Sequence, residues 1–450
     1  MGRTARAAEI AGTLGATLLS SVPFALSLGR SLFTARAERR RVTGALGRWD
    51  PPPPPAAAAG APLRGRLFVV AWEPSGDRIA AEAVEALRRR QPGIEVRGFG
   101  GRHMAAAGVR LDHDLAADAV MGFFAVVKAA PRIVSLYRAY LRILDEERPD
   151  AVLLVDYPGF NIRAAQAARR RGIPVVWFVV PQIWAWAPWR ARRIARAATD
   201  LCVILPFERA FYADRGIPVR YVGYPLFEGL DREGTDAAVA ARLREGGRPV
   251  LAVLPGSRRQ EIEKNLAPLL RSVAILRKSM PEVRPLIACA GPRLRPRIDA
   301  LVRESGLDVE VLDGHARTLL SAARAAVCVS GTVTMECVHA GVPAVIVYRV
   351  SPVGRMFMPI LLTIPWFGLA NLLAGKVVYP EHSHPDRDAE AVAAELEERL
   401  RDGPVRAACL AEVGALRARV AVTGVTDRVA AVLEERMGGD RSGAAPPVGC

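Results

Sequence analysis

The feature that most constrains this sequence is a regular alternation of short apolar strands with Arg- and Ala-rich helices. In the first half, RLFVVAW and AVLLVDY have the pattern of strands, and DRIAAEAVEALRRR and NIRAAQAARRRG have the pattern of helices. The second half repeats the alternation with PVLAVLPG, RPLIACAG and AAVCVSG as strands. Such alternation predicts parallel sheets with helices on both faces. Two sets of it predict an α/β protein.

The length of the chain and the spacing of its strand–helix sets indicate more than one domain. At 450 residues it is too long for one ordinary hydrophobic core, and the two strand–helix sets separate near residues 228–246. We therefore predict two doubly wound, Rossmann-like domains. The predicted parts are an N-terminal extension over 1–62, a first Rossmann-like domain over 63–230, a second over 245–384, C-terminal helices over 385–436 and a disordered tail over 437–450.

The N-terminal extension differs in composition from the rest. Residues 11–29, AGTLGATLLSSVPFALSLG, carry no charge and have about the length of a membrane span. A spanning helix, a helix on the membrane surface and a removed signal peptide all remain open for this segment. PPPPPAAAAGAP, residues 51–62, predicts a semi-rigid linker.

The chain is strongly basic, with 62 Lys and Arg against 46 Asp and Glu and a formal net charge of +16. This balance favours an anionic partner, which leaves nucleic acid, an anionic membrane surface and phosphorylated substrates. A generally Arg-rich protein is the alternative, since arginines are spread along nearly every helix. No RNA-binding signature or zinc-ligand spacing is present in the sequence.

The six cysteines form no CxxC pair, and most lie in apolar or helical runs. They predict free buried thiols in a reducing compartment rather than a disulfide framework. His382 and His384 are close in sequence, but no further metal ligands accompany them. The cysteines are Cys202, Cys289, Cys328, Cys337, Cys409 and Cys450.

Asp156 stands at the end of an apolar strand. AVLLVDYPGFN, residues 151–161, runs five apolar residues into this carboxylate and then into the chain-breaking Pro158 and Gly159. Ligands of doubly wound folds bind at the carboxyl ends of the strands. A carboxylate there must be solvated, paired or available to a substrate. The position therefore marks Asp156 as a candidate functional group.

A strand, a tight loop and a helix start follow one another in VLPGSRRQEIEKN, residues 253–265. Backbone amides at a helix N-terminus bind phosphate well, which implicates Gly256 and Ser257. Arg258 adds a fork of charged donors. An ordinary strand-to-helix turn capped by Ser257 is the alternative, and this loop alone slightly favours it.

The same pattern recurs in VSGTVTMECVHAGVP, residues 329–343. Ser330, Gly331 and Thr332 form a small-residue loop at a strand end. Glu336 lies about one turn into the following helix, where a carboxylate can accept hydrogen bonds from ribose hydroxyls. Favourable placement near a helix start is the alternative for Glu336. Together the two loops predict a nucleotide-diphosphate site in the second domain.

A cluster of polar residues follows the first strand in AWEPSGDRIAAE, residues 71–82. Glu73, Ser75 and Asp77 make a candidate acceptor-side loop. Simple helix capping by Ser75 or Asp77 is the alternative, which spacing alone favours.

Two further stretches suit contact with lipid. VVPQIWAWAPWRARRIAR, residues 179–196, places three tryptophans beside a run of arginines, which fits a membrane interface or a greasy anionic ligand. MFMPILLTIPWFGLANLLAG, residues 356–375, carries no charge and two prolines, which fits a hydrophobic flap over lipid or an acyl chain. Burial in the core is the alternative for both. The candidate contacts are Trp184, Trp186, Trp189, Trp366 and Phe367.

Taken together, these stretches resemble the lipid-A-disaccharide synthase family of inverting GT-B glycosyltransferases. The resemblance covers most of residues 65–435, and the motifs occur in the family's order and spacing. Its segments are AWEPSGD, GFGGRHMAAAGV, DAVMGFFAVV, VDYPGFN, VPQIWAWAPWRARRIAR, DLCVILPFERAFY, VGYPL, LPGSRRQEIE, SGTVTMEC, VYRVSP and NLLAGKVVYPE. The resemblance implies a GT-B fold, with an acceptor domain and a UDP-sugar donor domain that face a cleft.

The resemblance also implies a reaction. The donor is UDP-2,3-diacylglucosamine, the acceptor is 2,3-diacylglucosamine 1-phosphate, and the product is the β-1,6-linked lipid A disaccharide 1-phosphate with release of UDP. No cofactor and no metal are expected. The resemblance implies a peripheral enzyme at the cytoplasmic face of the bacterial inner membrane, with an anionic membrane surface as partner, no nucleic acid and a possible homodimer.

Residue roles follow from the same resemblance. Asp156 matches the family's essential aspartate and is the candidate general base for the acceptor 6-hydroxyl. Arg258 would neutralise the leaving diphosphate. The other positions that match donor binding are Ser257, Gly256, Ser330, Gly331, Thr332, Glu336 and Asn371, and those on the acceptor side are Glu73, Ser75 and Asp77.

The sequence departs from the family pattern mainly on the acceptor side. Trp72 replaces a usual glycine, Arg102 replaces a proline, and Ala125 stands where many members have glutamate. The usual LPN is LAN at 369–371. Two other hypotheses are therefore retained. One is a paralogous UDP-sugar transferase with another membrane-bound acceptor, and the other is a basic nucleic-acid-binding or membrane scaffold with a degenerate site.

Overall fold

The computed structural model describes residues 36–54, 62–115, 123–350 and 362–438, without the side chains of 123–130. The segment 11–29, most of the Pro/Ala linker and nearly all of the predicted tail lie outside the described residues. The same holds for the beginning of DAVMGFFAVV and for the first third of the apolar stretch 356–375. Residues 36–45 form helix α1.

The described chain forms two compact units. The first draws its described residues from 1–41, 50–225 and 423–450, and the second from 42–49 and 226–422. Each unit is built on its own parallel sheet with helices connecting the strands. The α/β class and the paired Rossmann-like sheets predicted from the sequence are confirmed.

The first unit holds a seven-stranded sheet. Its strands are β1 (Gly65–Ala71), β2 (Ile94–Gly100), β3 (Arg110–Asp114), β4 (Ala151–Val155), β5 (Val175–Phe178), β6 (Asp200–Val203) and β7 (Arg220–Tyr221). They pair in the order β3-β2-β1-β4-β5-β6-β7, and each pair is parallel. All five residues of β4 are buried, as expected for a strand covered on both faces. Strands β1 to β3 follow one another toward one edge of the sheet, whereas β4 to β7 follow one another from β1 toward the other edge. The boundary between β1 and β4 is therefore the reversal point of this sheet.

Helices join these strands. They are α2 (Pro74–Arg90), α3 (Arg102–Ala106), α4 (Phe123–Glu146), α5 (Pro158–Arg170), α6 (Ala191–Ala197) and α7 (Pro206–Ala213). Two short 3₁₀ turns, Ile183–Ala185 and Pro188–Arg190, precede α6. Helices α2 and α5 both begin with a proline in the first turn, where its missing N–H is tolerated.

The second unit holds a six-stranded sheet. Its strands are β8 (Val250–Leu254), β9 (Arg284–Cys289), β10 (Glu310–Asp313), β11 (Ala325–Val329), β12 (Ala344–Val347) and β13 (Glu381–His382), in the parallel order β10-β9-β8-β11-β12-β13. Its helices are α8 (Pro225–Glu233), α9 (Ala237–Arg244), α10 (Arg259–Ser279), α11 (Arg295–Ser305), α12 (Ala316–Ala322), α13 (Val333–Ala340), α14 (Leu369–Ala374), α15 (Ala389–Leu400) and α16 (Pro404–Val420). The order in which successive strands are added reverses between β8 and β11, which is the reversal point of this sheet.

The last helix, α17 (Val425–Gly438), belongs to the first unit although it follows the second in sequence. It packs against α2, and Arg90 donates to Glu434 at 2.8 Å. Arg436 pairs with Asp200 at 2.6 Å, at the start of β6. Arg428 donates to the Val222 carbonyl at 3.0 Å. These polar contacts fix α17 to the sheet at several points.

Within the described ranges, no helix combines the length and the apolarity that a bilayer crossing requires. The five described cysteines are all buried and unpaired.

Candidate active site

Asp156 lies at the reversal point of the first sheet. Ala71 pairs with Val155 in the β1–β4 ladder, so Trp72 and Asp156 follow the two central strands side by side. This is the edge at which doubly wound sheets bind their ligands. The topology therefore places the predicted functional carboxylate in the position where such folds hold substrate.

The surroundings of Asp156 suit a general base. Its pKa is raised from 3.8 to about 6, first by burial and then by the neighbouring Glu73, while a hydrogen bond from the Tyr157 main-chain N–H partly opposes them. A carboxylate with a pKa near 6 is ionised at neutral pH, yet it binds a proton more readily than an ordinary aspartate.

Aromatic rings pack beside this carboxylate. The Trp72 ring stacks on the Tyr157 ring with centroids 4.8 Å apart and planes 16° apart, and its centroid lies 5.2 Å from that of Phe160. Trp72 is the residue that departs from the usual family glycine. Its Nε1 is buried and has no hydrogen-bond partner among the described residues. The substitution thus adds a large ring directly beside Asp156 rather than at a distant surface.

The three candidate acceptor-side residues occupy different environments. Glu73 is partly buried at the start of α2, and Ser75 is exposed in the first turn. Asp77 is fully buried, and its carboxylate accepts hydrogen bonds from the main-chain N–H groups of Gly101, His103 and Met104 at 2.7, 2.9 and 3.2 Å. Asp77 therefore caps α3 and holds the GFGGRHM turn, whereas Glu73 lies close enough to Asp156 for its charge to raise the Asp156 pKa.

In the second unit, the PGSR loop follows β8 and leads into α10. The main-chain N–H groups of Ser257 and Arg258 donate to one carboxylate oxygen of Glu261, at 3.0 and 3.2 Å. The Arg258 guanidinium lies 3.3 Å from the other oxygen. Gly256 has a φ of 110°, and a Cβ there would lie 2.4 Å from Glu261 Oε2. The loop thus already holds an anionic group on the amides expected to bind phosphate.

The second loop follows β11, the strand next to β8. The Ser330 hydroxyl donates to the Phe367 carbonyl at 2.9 Å, whereas Gly331 and Thr332 are exposed at the start of α13. Glu336 lies in the first turn of α13 and is partly buried. The structure therefore brings the PGSR and SGT loops to adjacent strand ends of one sheet.

Asn371 lies inside the second unit and is fully buried. Its amide nitrogen donates to the Tyr379 carbonyl and to Glu381 Oε1, both at 2.7 Å. Its amide oxygen accepts from the N–H groups of Val378 and Tyr379 at 2.8 and 2.9 Å. Glu381 also accepts from the N–H groups of Phe367 and Gly368. Asn371 and Glu381 therefore fix the loop that carries Phe367, which in turn contacts Ser330.

The candidate lipid-contact residues separate into buried and exposed ones. Trp184 is buried, and its indole N–H donates to Glu208 at 2.8 Å. Trp186 and Trp189 are 39% and 47% exposed, and the Arg190 guanidinium lies 4.9 Å from the centre of the Trp186 ring. The exposed tryptophans are the two that lie nearest to the arginines in sequence.

The described part of the apolar stretch 356–375 is partly core. Trp366 and Phe367 are half-buried, and the Phe367 ring stacks on Tyr348 with centroids 5.4 Å apart. In α14, Ala370, Leu372 and Leu373 are buried.

Sequence reasoning missed several residues that shape these sites. Glu261 follows Arg258 by three positions, and this capping-box spacing was the available signal. Glu208 is fully buried and accepts hydrogen bonds from Trp184, Ile204 and Leu205, and burial raises its pKa to about 7. Asn161 and Trp177, which bind the main chain at Asp156, carry no sequence signal of their own.

The two parallel sheets, each with candidate groups at its reversal point, define a protein of the GT-B fold class. Solved structures share this fold. One is UDP-GlcNAc 2-epimerase from Neisseria meningitidis bound to UDP-GlcNAc (TM-score 0.52, 15% identity, 78% of this chain and 100% of that chain). Another is MurG from Acinetobacter baumannii (TM-score 0.51, 16% identity, 82% and 99%). At such identity the likeness concerns the fold alone.

The sequence comparisons identify the family. The family model for lipid-A-disaccharide synthetase matches residues 67–410. The lipid-A-disaccharide synthase of Myxococcus xanthus is 37% identical over 373 residues, covering 82% of this chain and 97% of the relative. That of Geobacter sulfurreducens is 34% identical over 374 residues, covering 83% and 97%. The chain belongs to the lipid-A-disaccharide synthetase family and is a glycosyltransferase of lipid A biosynthesis. The family predicted from the motifs is confirmed, and the comparisons do not favour a paralogue with another acceptor.

Proposed function

We propose that this protein transfers a 2,3-diacylglucosaminyl group from its UDP donor to the 6-hydroxyl of 2,3-diacylglucosamine 1-phosphate. The observation that carries the proposal is the partly buried carboxylate of Asp156 at the reversal point of the first sheet, with its pKa raised to about 6. An acceptor hydroxyl needs a base of this kind, because the hydroxyl is a very weak acid and keeps its proton at neutral pH.

In the proposed mechanism, Asp156 accepts the proton of the acceptor 6-hydroxyl while the hydroxyl oxygen attacks C1 of the donor sugar. The bond between C1 and the diphosphate oxygen breaks, the configuration at C1 inverts, and UDP leaves with the bonding electron pair. The disaccharide keeps the acceptor's 1-phosphate. Asp156 then releases its proton to solvent.

The leaving diphosphate develops negative charge that the PGSR loop is suited to take up. Arg258 supplies a fixed cation, and the N–H groups of Ser257 and Arg258 point to one place, where Glu261 now sits. We propose that the diphosphate takes over these amides from Glu261. Because cationic and amide groups are provided by the loop itself, we propose that turnover requires no metal.

The remaining donor contacts fall to the loop after β11. Glu336 would accept hydrogen bonds from the ribose hydroxyls, and the exposed Thr332 and Gly331 would approach the phosphates. Ser330 and Asn371 would act by holding this region in shape, since their hydrogen bonds go to the protein itself.

The test is UDP release by the purified full-length protein in detergent, with diacylated UDP-glucosamine and with or without diacylglucosamine 1-phosphate. We expect release that depends on the acceptor, a disaccharide product, and no loss of rate in excess EDTA. Asp156→Asn should abolish turnover and leave the Kd for UDP nearly unchanged, whereas Arg258→Ala should weaken UDP binding. UDP binding without acceptor-dependent release would refute the proposed acceptor.

We further propose that the exposed tryptophans and their arginines contact an anionic membrane surface. Trp186 and Trp189 are followed in sequence by Arg190, Arg192, Arg193 and Arg196, and this stretch contains no acidic residue. The Arg190 guanidinium contacts the Trp186 ring. Burial lowers the pKa of Arg190, and the positive charge of the neighbouring Arg193 lowers it further, so these two cations lie near each other. Interfacial tryptophan with adjacent cations suits lipid headgroups.

Sedimentation with vesicles tests this contact. Trp186→Ser combined with Trp189→Ser should reduce binding to vesicles of anionic phospholipid, and added salt should reduce binding of the unmodified protein. Leu410→Ser is a matched control, because Leu410 is a similarly exposed apolar residue, 37% exposed, on α16. Equal binding by the double variant and the control would exclude the tryptophan surface as the contact.

A further inference from the structure

The main chain at Asp156 adopts a conformation that these residue types seldom adopt. Asp156 has a φ of 48° and Tyr157 has a φ of 37°, and both therefore lie in the left-handed region. Non-glycine residues are uncommon there, and two in succession are rarer still. Such a conformation persists only where the surroundings enforce it. The contacts that enforce it at Asp156 are therefore informative.

Two side chains bind the Asp156 main-chain carbonyl. The Asn161 amide donates to this oxygen at 2.8 Å, and the Trp177 indole N–H donates to it at 3.1 Å. The same Asn161 nitrogen lies 3.1 Å from the Val155 carbonyl. Asn161 and Trp177 are both fully buried. One donor comes from α5 and the other from β5, so the carbonyl is held from two elements.

The neighbouring residues limit the alternatives. Pro158 disfavours the right-handed helical conformation for Tyr157, which leaves extended and left-handed conformations. In an extended conformation the Asp156 carbonyl would point elsewhere and lose both donors. Trp72 stacks on the Tyr157 ring and supports the observed arrangement from the side of β1. The side-chain donors thus select one of two accessible main-chain arrangements.

Asn161 is also poorly suited to a purely space-filling role. Its Oδ1 is buried without a hydrogen-bond partner among the described residues. An unsatisfied buried acceptor opposes folding, so it offsets part of what the amide nitrogen contributes. The Asn161 amide nitrogen does, however, fix the orientation of the main chain at Asp156, because both of its acceptors are carbonyls that flank the Asp156 α-carbon.

We propose that Asn161 and Trp177 are positioning residues that aim the Asp156 carboxylate at the acceptor hydroxyl by fixing the left-handed main chain of residues 156 and 157. The proposal rests on the proposed role of Asp156 as general base. Glu73, from the β1–α2 junction, is the charged group that acts on Asp156, whereas the contacts from β5 and α5 come from neutral groups.

The test compares Trp177→Phe, which removes the indole donor, with Tyr140→Phe as a matched control. Tyr140 is also buried in the first unit, and its hydroxyl donates to the Ala164 carbonyl on α5 at 3.0 Å. Both variants lose one side-chain donor to a main-chain carbonyl. They differ in whether that carbonyl belongs to Asp156.

For Trp177→Phe we expect kcat to fall about ten- to a hundredfold, as for a misplaced catalytic group, with an unchanged Kd for UDP. The acid limb of the kcat/KM profile should move to lower pH, because a released carboxylate becomes more solvated. Asn161→Leu should behave in the same way. Tyr140→Phe should lose stability only, with kcat within about twofold and an unmoved acid limb.

The Asp156→Asn background separates the possible failures. Because Asp156→Asn is expected to be inactive, that variant tests whether Asp156 is the base, and Trp177→Phe in the otherwise unchanged protein tests the positioning role. An inactive Asp156→Asn together with an unchanged kcat and acid limb in Trp177→Phe would overturn the positioning role alone. An Asp156→Asn variant with normal turnover would overturn the base assignment and this proposal with it. If Asn161→Leu fails to fold, the comparison of Trp177→Phe with Tyr140→Phe still tests the positioning role.

Discussion

The raised pKa of Asp156 should lower the stability of the folded protein at neutral pH. The folded-state pKa of Asp156 is about 6 against an ordinary value of 3.8, mainly because of burial and then because of Glu73. The folded protein therefore binds this proton more tightly than the unfolded chain does. As pH rises from the unfolded to the folded pKa, the contribution of Asp156 to stability becomes progressively more unfavourable, and it is constant above both values.

The magnitude follows from the two pKa values. A difference of about two pH units corresponds to an unfavourable contribution of about 3 kcal/mol above pH 7. The same relation gives about half of that at pH 5. Asp156→Asn removes the charge, while Asn161 and Trp177 still bind the main-chain carbonyl. We expect the variant to be more stable than the parent by up to about 3 kcal/mol at pH 8, and by about half as much at pH 5.

The assay is equilibrium urea unfolding of parent and variant at pH 5, 6, 7 and 8, followed by tryptophan fluorescence and circular dichroism. The stability difference should grow with pH and level off above about pH 7. Turnover should be lost in the same variant, so that stability and activity change in opposite directions. A difference that is independent of pH, or an Asn variant less stable than the parent at pH 8, would refute the electrostatic reasoning.

Three other substitutions test neighbouring parts of the two sites. Glu73→Gln should lower the pKa of Asp156 and move the acid limb of kcat/KM to lower pH, but only by part of the total shift, because burial is the larger cause. An unmoved acid limb would show that Glu73 does not act on Asp156. Glu261→Gln should lower the free energy of unfolding by about 1 kcal/mol through the lost cap, yet it should tighten UDP binding measured by calorimetry, because a competing anion is gone; weaker UDP binding would instead make Glu261 part of the donor site. Asn371→Ala should destabilise the second unit by about 2–4 kcal/mol, since it removes the side-chain partner of buried main-chain groups at Val378 and Tyr379 and one of the donors to Glu381; urea unfolding that matches the parent would contradict this structural role.

Local pattern was enough to predict the sheets and the positions of the loops. Strands covered on both faces must be apolar throughout, and the strands around Asp156 and Arg258 show this in the sequence. Parallel strands also place their carboxyl ends at one edge, so the order of strands and loops indicated where ligands bind. Asp156, Arg258 and Glu336 were predicted as candidate site residues in this way.

What a side chain does at such an edge depended on contacts between residues far apart in sequence. Asp77 has the spacing of a loop carboxylate, but the turn at residues 101–104 takes up its oxygens. Asn371 matches a donor-binding position, but its four hydrogen bonds go to the residues 378–381. Neither use can be read from local pattern, because the partners approach only when the chain is folded.

The sequence by itself determined the α/β class, the family, the two loops between strand and helix in the second unit and the carboxylate at a strand end, because each is a property of neighbouring residues and of strand periodicity. Only the tertiary structure decided that Trp184 is core while Trp186 and Trp189 are exposed, and that α17 returns to the first unit. It also decided the left-handed main chain at Asp156. Burial, pairing and main-chain strain are set by packing between distant segments, and that packing gives this carboxylate its direction and its raised pKa.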